Sequence, residues 1–212
     1  MAQKKTIAII GATGTRGSAV AKNLAKGNYR LLLMSEEVEK LSALSNELSQ
    51  SIAEIETISC AKDACWEADI IIVAAPYEVE KEVAEKIKEV AVGKVVISIS
   101  NPIDRSYENL FPSPNNSAAE ELQRLLPHSK VVKTFNTASI ENFTALTIQG
   151  KAADTFIAGN NGDAIEIVSE LVRAAGFNPF VVGDLSMSRA LERMQLLLAR
   201  KSTKNNFNWS VN

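Results

Sequence analysis

The sequence predicts a Rossmann-type α/β fold: a doubly wound, mostly parallel sheet with helices on both faces and a small C-terminal α/β extension. Three observations predict it. Short runs rich in Ile and Val alternate with segments of helical period, the pattern of repeated strand-helix-strand crossovers. The first run passes through a glycine-rich turn, Gly11 to Gly17, straight into a helical segment. The composition of the 212-residue chain, 46% hydrophobic and 23% charged, suits one substantial core.

Eight strands follow from the apolar runs: Thr6 to Ile10, Arg30 to Met34, Ile55 to Ser59, Asp69 to Ala74, Lys94 to Ser98, Lys130 to Phe135, Asp154 to Ala158 and Pro179 to Val182. Their branched aliphatic content suits strands buried on both faces. Val20 and Leu24 lie one turn apart on the first helix, which Gly27-Asn28 stops. Val38, Leu41, Leu44 and Leu48 form one helical stripe, and Val79, Val83, Ile87 and Val90 another. Ser117-Ala118-Ala119-Glu120 reads as a capping box opening a helix to Leu126, before Pro127. Later helices span Asp163 to Ala175 and Met187 to Lys201. The Pro- and Asn-rich stretch Asn101 to Asn116 is an irregular loop at the carboxyl end of the fifth strand, where such folds bind ligands. The polar tail from Ser202 carries Phe207 and Trp209, which suggest that it docks on the body. A division follows: 1–140 as the dinucleotide-binding domain and 141–212 as a small α/β region completing the sheet and substrate cleft.

Charge excludes some functions. Lys and Arg total 23 against 25 Asp and Glu, a net charge of -2, with no run of one sign, so neither nucleic acid nor an anionic membrane is an expected partner. No apolar run has the length of a membrane span. Cys60 and Cys65 have the spacing of neither a redox Cys-x-x-Cys motif nor a zinc pair, and no metal site is expected. A cytoplasmic protein is the expectation.

The glycine turn reads Gly11-Ala12-Thr13-Gly14-Thr15-Arg16-Gly17. Glycine lets the backbone approach a pyrophosphate, and the helix N-terminus offers free N–H groups and a partial positive charge. Gly14 is the expected close-approach residue, and Gly17 the one that lets helix and strand pack closely. Thr13, Thr15 and Arg16 can donate to phosphate. At the tip of the second strand, an acid would hold the ribose of NAD and a base the extra phosphate of NADP. Ser35 stands there, followed by Glu36 and Glu37, with Lys40 one turn along. Ala74, Ala75, Pro76 and Tyr77 end the fourth strand in small residues that leave room for a ligand, and Asn101-Pro102 follows the fifth.

These pieces, with the Ser-Ala-Ala-Glu helix start, Lys133-Thr134-Phe135-Asn136-Thr137, and Gly183-Asp184-Leu185-Ser186 followed by Ser188-Arg189, closely resemble the NADPH-dependent reductases of the deazaflavin coenzyme F-420. That group includes the reductase domain of the STEAP metalloreductases, and the resemblance spans essentially the whole chain. It implies that Thr13, Gly14, Thr15 and Arg16 bind the pyrophosphate, that Ser35 and Lys40 face the adenosine phosphate, and that Ala75, Pro76 and Tyr77 lie along the cofactor. Members carry Arg directly after that serine, whereas this chain carries Glu36, which leaves NADP and NAD both open.

The implied activity is hydride transfer between a nicotinamide nucleotide and a flat small-molecule acceptor, a deazaflavin or flavin, with positioning as the source of catalysis. The residues agree, since the chain has one histidine, His128, in an expected surface loop, and no clear nucleophile-base pair. Asn101, Asn136 and Thr137, at strand ends, are the groups expected to orient nicotinamide or acceptor. Tyr77 and Tyr107 could serve as proton donors in a carbonyl reductase, but neither has the Tyr-x-x-x-Lys spacing. A nucleotide-sensing regulator without turnover is the alternative from another class. The apolar face of the last helix, with Leu191, Met194, Leu197 and Leu198, suggests core on one side and a homodimer seam on the other.

Overall fold

The computed structural model describes residues 4–104, 109–111, 115–138, 143, 147–148 and 151–205. Tyr107, Phe207 and Trp209 lie outside the described residues. The elements run β1 (Lys5–Ile10), α1 (Thr15–Leu24), β2 (Tyr29–Met34), α2 (Val38–Leu48), β3 (Glu54–Thr57), α3 (Ala61–Glu67), β4 (Ile70–Val73), α4 (Tyr77–Ile87), β5 (Val95–Ser98), α5 (Ala118–Leu125) and β6 (Lys130–Lys133). They continue with β7 (Thr147–Ile148), β8 (Lys151–Ala152), β9 (Asp154–Gly159), α6 (Gly162–Ala174), β10 (Asn178–Gly183), a 3-10 turn (Leu185–Met187) and α7 (Ser188–Asn205).

Among the described residues, one eight-stranded sheet holds all strands but the antiparallel β7-β8 pair, in the order β10-β9-β6-β5-β4-β1-β2-β3. From β3 to β6 every pairing is parallel. β9 pairs antiparallel to β6, and β10 parallel to β9. The eight strands expected from the apolar runs all appear. Alternation on β1 divides the core: Ile7 and Ile9 pack on one face with Val20, Leu24 and Leu44, while Ala8 and Ile10 pack on the other with Ala64, Ala84 and Leu122. Because α1 and β2 return the chain to β1's neighbour while α3 leads to β4 on its other side, the strand order reverses at β1. The crevice at that reversal is where such sheets bind ligands.

Two features escape the sequence pattern. α3 is seven residues long and buries only Ala61, Ala64 and Cys65, too short and too small-chained for a readable period. On α4 the expected stripe holds at Ile87, with Val83 and Val90 packed half-buried against the core, but Glu80 and Ala84 are buried beside it and Val79 is not. Val79 is 42% exposed, and both Val79 and Val83 line a cavity. Likewise Val38 stands 73% exposed ahead of the buried Leu41, Leu44 and Leu48 of α2. Among the described residues no helix is long and apolar enough to cross a membrane.

Candidate functional site

A cavity of about 540 Å³ crosses the carboxyl ends of β2, β1, β4 and β5. Its wall runs from Ser35, Glu36 and Glu37 past the glycine turn and Ala74-Ala75 to Ser100 and Asn101. Three inter-strand steps span about 14 Å, the reach of an extended dinucleotide.

The turn is fixed from both sides. Gly11 and Ala12 both donate their N–H to the Met34 carbonyl, at 2.9 and 3.0 Å, and Gly14 N–H returns to the Gly11 carbonyl at 3.1 Å. The three glycines have different reasons. Gly11 has φ +87, and a Cβ there would lie 2.8 Å from the Ala74 backbone. A Cβ on Gly17 would lie 2.3 Å from the Gly11 carbonyl oxygen, so α1 can pack this closely on the turn only without one. Gly14 has ordinary φ -63, ψ 157, and a Cβ there would come no nearer than 3.3 Å to protein. The fold itself needs Gly14 least, so its missing side chain serves the open side of the turn. No side chain caps α1, and no acid stands in its first turn, which leaves the helix's positive end presented to the cavity. These are features of a phosphate cradle, and a dinucleotide fits them.

At the β2 end the side chains form a chain of hydrogen bonds. Thr13 Oγ1 lies 2.5 Å from Ser35 Oγ and donates to Glu37 Oε2 at 2.9 Å. Glu37 N–H donates to Ser35 Oγ, and Lys40 Nζ donates to Glu37 Oε1 at 2.5 Å. The Lys40 bond, then the Thr13 bond, hold the Glu37 carboxyl below its ordinary range. Lys40 therefore sits against Glu37, outside the cavity wall, while Glu36, Glu37, Glu82 and Lys86 stand on it. The acid tied to the glycine turn is Glu37, one residue beyond the one that sequence spacing singles out.

At the β5 end, Pro76, Tyr77, Ser100 and Asn101 line the cavity. Asn101 Nδ2 donates to the Asn136 carbonyl at 2.9 Å, and Asn136 Nδ2 donates to Asn101 Oδ1 at 3.0 Å. Asn136, Thr137 and Pro102 are buried and off the wall, so Asn136 acts as the brace of Asn101. Tyr77 stacks on Phe111 and donates its hydroxyl to Glu121 Oε2 at 2.6 Å. Burial, followed by the Glu121 carboxylate, raises the Tyr77 pKa, so the phenol stays protonated and engaged.

Behind this end lies a buried charged group with no short sequence signature. Lys133 and Glu192, 0% and 1% exposed, pair at 2.7 Å. Lys133 Nζ also donates to the Ser100 carbonyl at 2.6 Å, and Glu192 Oε2 accepts from Ala118 N–H at 3.1 Å. Glu80 is 3% exposed and accepts from Ser100 Oγ. Burial pushes its carboxyl up to about 7.

Of the residues expected from sequence, Gly11, Thr13, Gly14, Thr15, Arg16, Ser35, Glu36, Ala74, Ala75, Pro76, Tyr77 and Asn101 share the cavity wall, with Gly17 directly beneath the turn. Sequence reasoning missed Glu37, Val79, Val83, Ser100 and the Glu80, Lys133, Glu192 group. Polar residues at buried helical positions were the available signal for Glu80 and Glu192.

Fold and site together define a dinucleotide-binding oxidoreductase of the Rossmann class. A family model described as NADP oxidoreductase, coenzyme F420-dependent, matches residues 6–102. The F420-dependent NADP reductase of Methanocaldococcus jannaschii is 32% identical over 203 residues, covering 91% of this chain and 90% of the relative. Metalloreductase STEAP3 of Rattus norvegicus is 28% identical over 192 residues, covering 91% of this chain but 36% of the relative. A crystal structure from Arthrobacter sp. FB24, of a protein proposed as an F420-dependent NADP reductase, shares the fold with a TM-score of 0.81 at 23% identity, covering 97% of this chain and 98% of that one. This chain belongs to the coenzyme F420-dependent NADP oxidoreductase family.

Proposed function

We propose that the chain transfers hydride between a nicotinamide dinucleotide, NADP in the relatives named as F420-dependent NADP reductases, and a flat acceptor of the deazaflavin or flavin type. The observation that carries this reading is the continuous wall from the β2 tip, past an uncapped helix N-terminus, to Ser100 and Asn101. The turn at Gly11 to Gly17 would hold the pyrophosphate, with Thr13, Thr15 and Arg16 donating. Thr13 and Ser35 would meet the adenosine ribose, and Ala74, Ala75 and Pro76 would form the floor beneath the bridge. Asn101, braced by Asn136, would orient the nicotinamide. The bound nicotinamide supplies the hydride chemistry, and the protein's share is alignment of two rings in a cleft. The engagement of Tyr77 with Glu121 supports this reading over carbonyl reduction.

The same reading treats 1–140 as the dinucleotide-binding unit and 141–212 as the region closing the acceptor side. It takes the protein as a cytoplasmic homodimer, with the net charge of -2 favouring neither nucleic acid nor anionic membranes. Leu197 on α7, 58% exposed, is an apolar residue left for a second copy on the helix face expected to form the seam.

The test is NADPH and NADH oxidation followed optically with coenzyme F420, FMN, FAD and ferric chelates as acceptors. Turnover with the deazaflavin or a flavin is expected. Tight nucleotide binding without turnover on any acceptor would replace this reading with a nucleotide sensor.

A further inference from the structure

The buried group behind Ser100 is off the cavity wall, yet one member of it reaches that wall through a hydrogen bond. Glu80 lies in the first turn of α4, with its two carboxylate oxygens 3.2 and 3.3 Å from Ser100 Oγ. Ser100 lines the cavity. Lys133 and Glu192 neutralise each other, and Glu192 is further held by the Ala118 and Ala119 N–H groups of α5. Glu80 is thus a buried carboxyl outside that pair, and the hydrogen bond it makes runs to a hydroxyl on the ligand wall.

We propose that Glu80 is the proton store of the cleft, keeping its proton while the nicotinamide is reduced and uncharged, and releasing it through Ser100 when the ring is oxidised and cationic. This deepens the proposed function and rests on its placement of the nicotinamide end at Ser100 and Asn101.

The chemistry moves one proton and no electrons through the protein. Protonated, Glu80 donates to Ser100 Oγ and turns the serine proton toward the cavity. On release, the Glu80 O–H bond breaks as Ser100 Oγ takes that proton, and the proton Ser100 gives up passes to water or to a ring nitrogen of the acceptor. Ionised Glu80 then accepts from Ser100 and faces the cationic ring. The directions match, because reduction of a deazaflavin or flavin takes up a hydride and a proton.

The surroundings make such a store workable near neutral pH. Burial sets the Glu80 carboxyl at about 7; Glu192 on α7 and Glu121 on α5 push it the same way, while Lys133 on β6 and the Ser100 hydroxyl oppose them. Tyr77, one turn earlier on α4, gives its hydroxyl to Glu121.

Calorimetric titration with NADP+ and with NADPH, each in two buffers of different ionisation heat at pH 7, counts the protons released on binding. The 2′-phosphate contributes equally to both and cancels. NADP+ should release more protons than NADPH, and the ratio Kd(NADP+)/Kd(NADPH) should fall about five- to tenfold between pH 6 and pH 8. Glu80→Gln should remove both differences. Infrared difference spectra of the wild type provide the same reading without a variant: a protonated-carboxyl band lost on adding NADP+ and kept with NADPH. Equal proton counts, a difference that survives in Glu80→Gln, or an unchanged carboxyl band would overturn the proposal while nucleotide binding stands. Binding of neither nucleotide would remove the functional reading and the proposal together.

Discussion

Replacing Glu80 by Gln should make the protein more stable above neutral pH and flatten its stability against pH. The sign follows from the direction of the shift. Glu80 titrates at about 7 in the folded chain and near its ordinary 4.5 when unfolded, so the native state binds this proton more tightly. The cost of burying the charge is absent below about pH 4.5, grows as pH rises from there, and is complete above pH 7. At about 1.4 kcal/mol per pKa unit the whole effect is about 3 kcal/mol, and between pH 5 and pH 8 about 2 to 3 kcal/mol of it should be visible.

The assay is urea unfolding of wild type and Glu80→Gln at pH 5, 6, 7 and 8, without nucleotide. Other carboxylates titrate alike in both proteins, so the difference between the two curves isolates Glu80. It should move in favour of the variant by about 2 to 3 kcal/mol across that range. Parallel curves, or a difference that grows toward low pH, would refute the argument that a desolvated carboxyl is carried at this position.

Glu36→Arg should raise the affinity for NADPH relative to NADH. For a phosphate about 6 Å away in screened water, charge reversal alone is worth about fivefold, and direct guanidinium-phosphate bonds could extend that to about fiftyfold; paired binding titrations with an unchanged ratio would remove Glu36 from the adenosine ribose. Gly17→Ala, with its Cβ 2.3 Å from a carbonyl oxygen, should destabilise by about 3 kcal/mol or more in thermal unfolding. Gly14→Ala should keep stability within about 1 kcal/mol and weaken nucleotide binding at least about tenfold, because its Cβ meets protein only at 3.3 Å. Lys133→Met strands Glu192 without its cation and should cost about 3 to 5 kcal/mol in denaturant unfolding, most of it recovered by also replacing Glu192 with Met. Leu197→Glu should shift the protein toward monomer in light scattering if α7 forms the seam, and an unchanged mass would move the interface elsewhere.

What could be read in advance was local. The glycine turn, its flanking strand and its helix lie within one short stretch, so spacing alone placed Gly11, Gly14 and Gly17 correctly. Strands buried on both faces announced themselves as Ile and Val runs. Val79 was misassigned to the core, and Val83, which packs against the core, also edges the cavity, because an apolar residue facing a ligand cavity has the same spacing as one facing a sheet. Spacing also could not tell Glu36 from Glu37, since which carboxylate reaches Thr13 depends on how the chain turns into α2. Glu80, Lys133 and Glu192 come from three separate elements, and no window of sequence holds them together.

The segments that carry the family resemblance outside the glycine turn meet in space. Ser117 Oγ and Ser188 Oγ lie 2.8 Å apart, Glu120 accepts from Arg189 Nε at 2.8 Å, and Lys133 pairs with Glu192 on the same helix as Arg189. None of these six side chains lies on the nucleotide cavity wall. They clamp α5, β6 and α7 to one another, and through Lys133 they hold the Ser100 carbonyl, which sets the position of the β5 end of the cavity. The resemblance there is therefore a resemblance of frame. A relative can keep the whole clamp and change its nucleotide or acceptor by altering the wall, where Glu36, Glu37, Val79, Glu82, Val83 and Lys86 stand free of it. Substitutions at Glu36, Val79, Glu82 and Lys86 should move affinities while leaving unfolding nearly unchanged, and substitutions in the clamp should do the reverse.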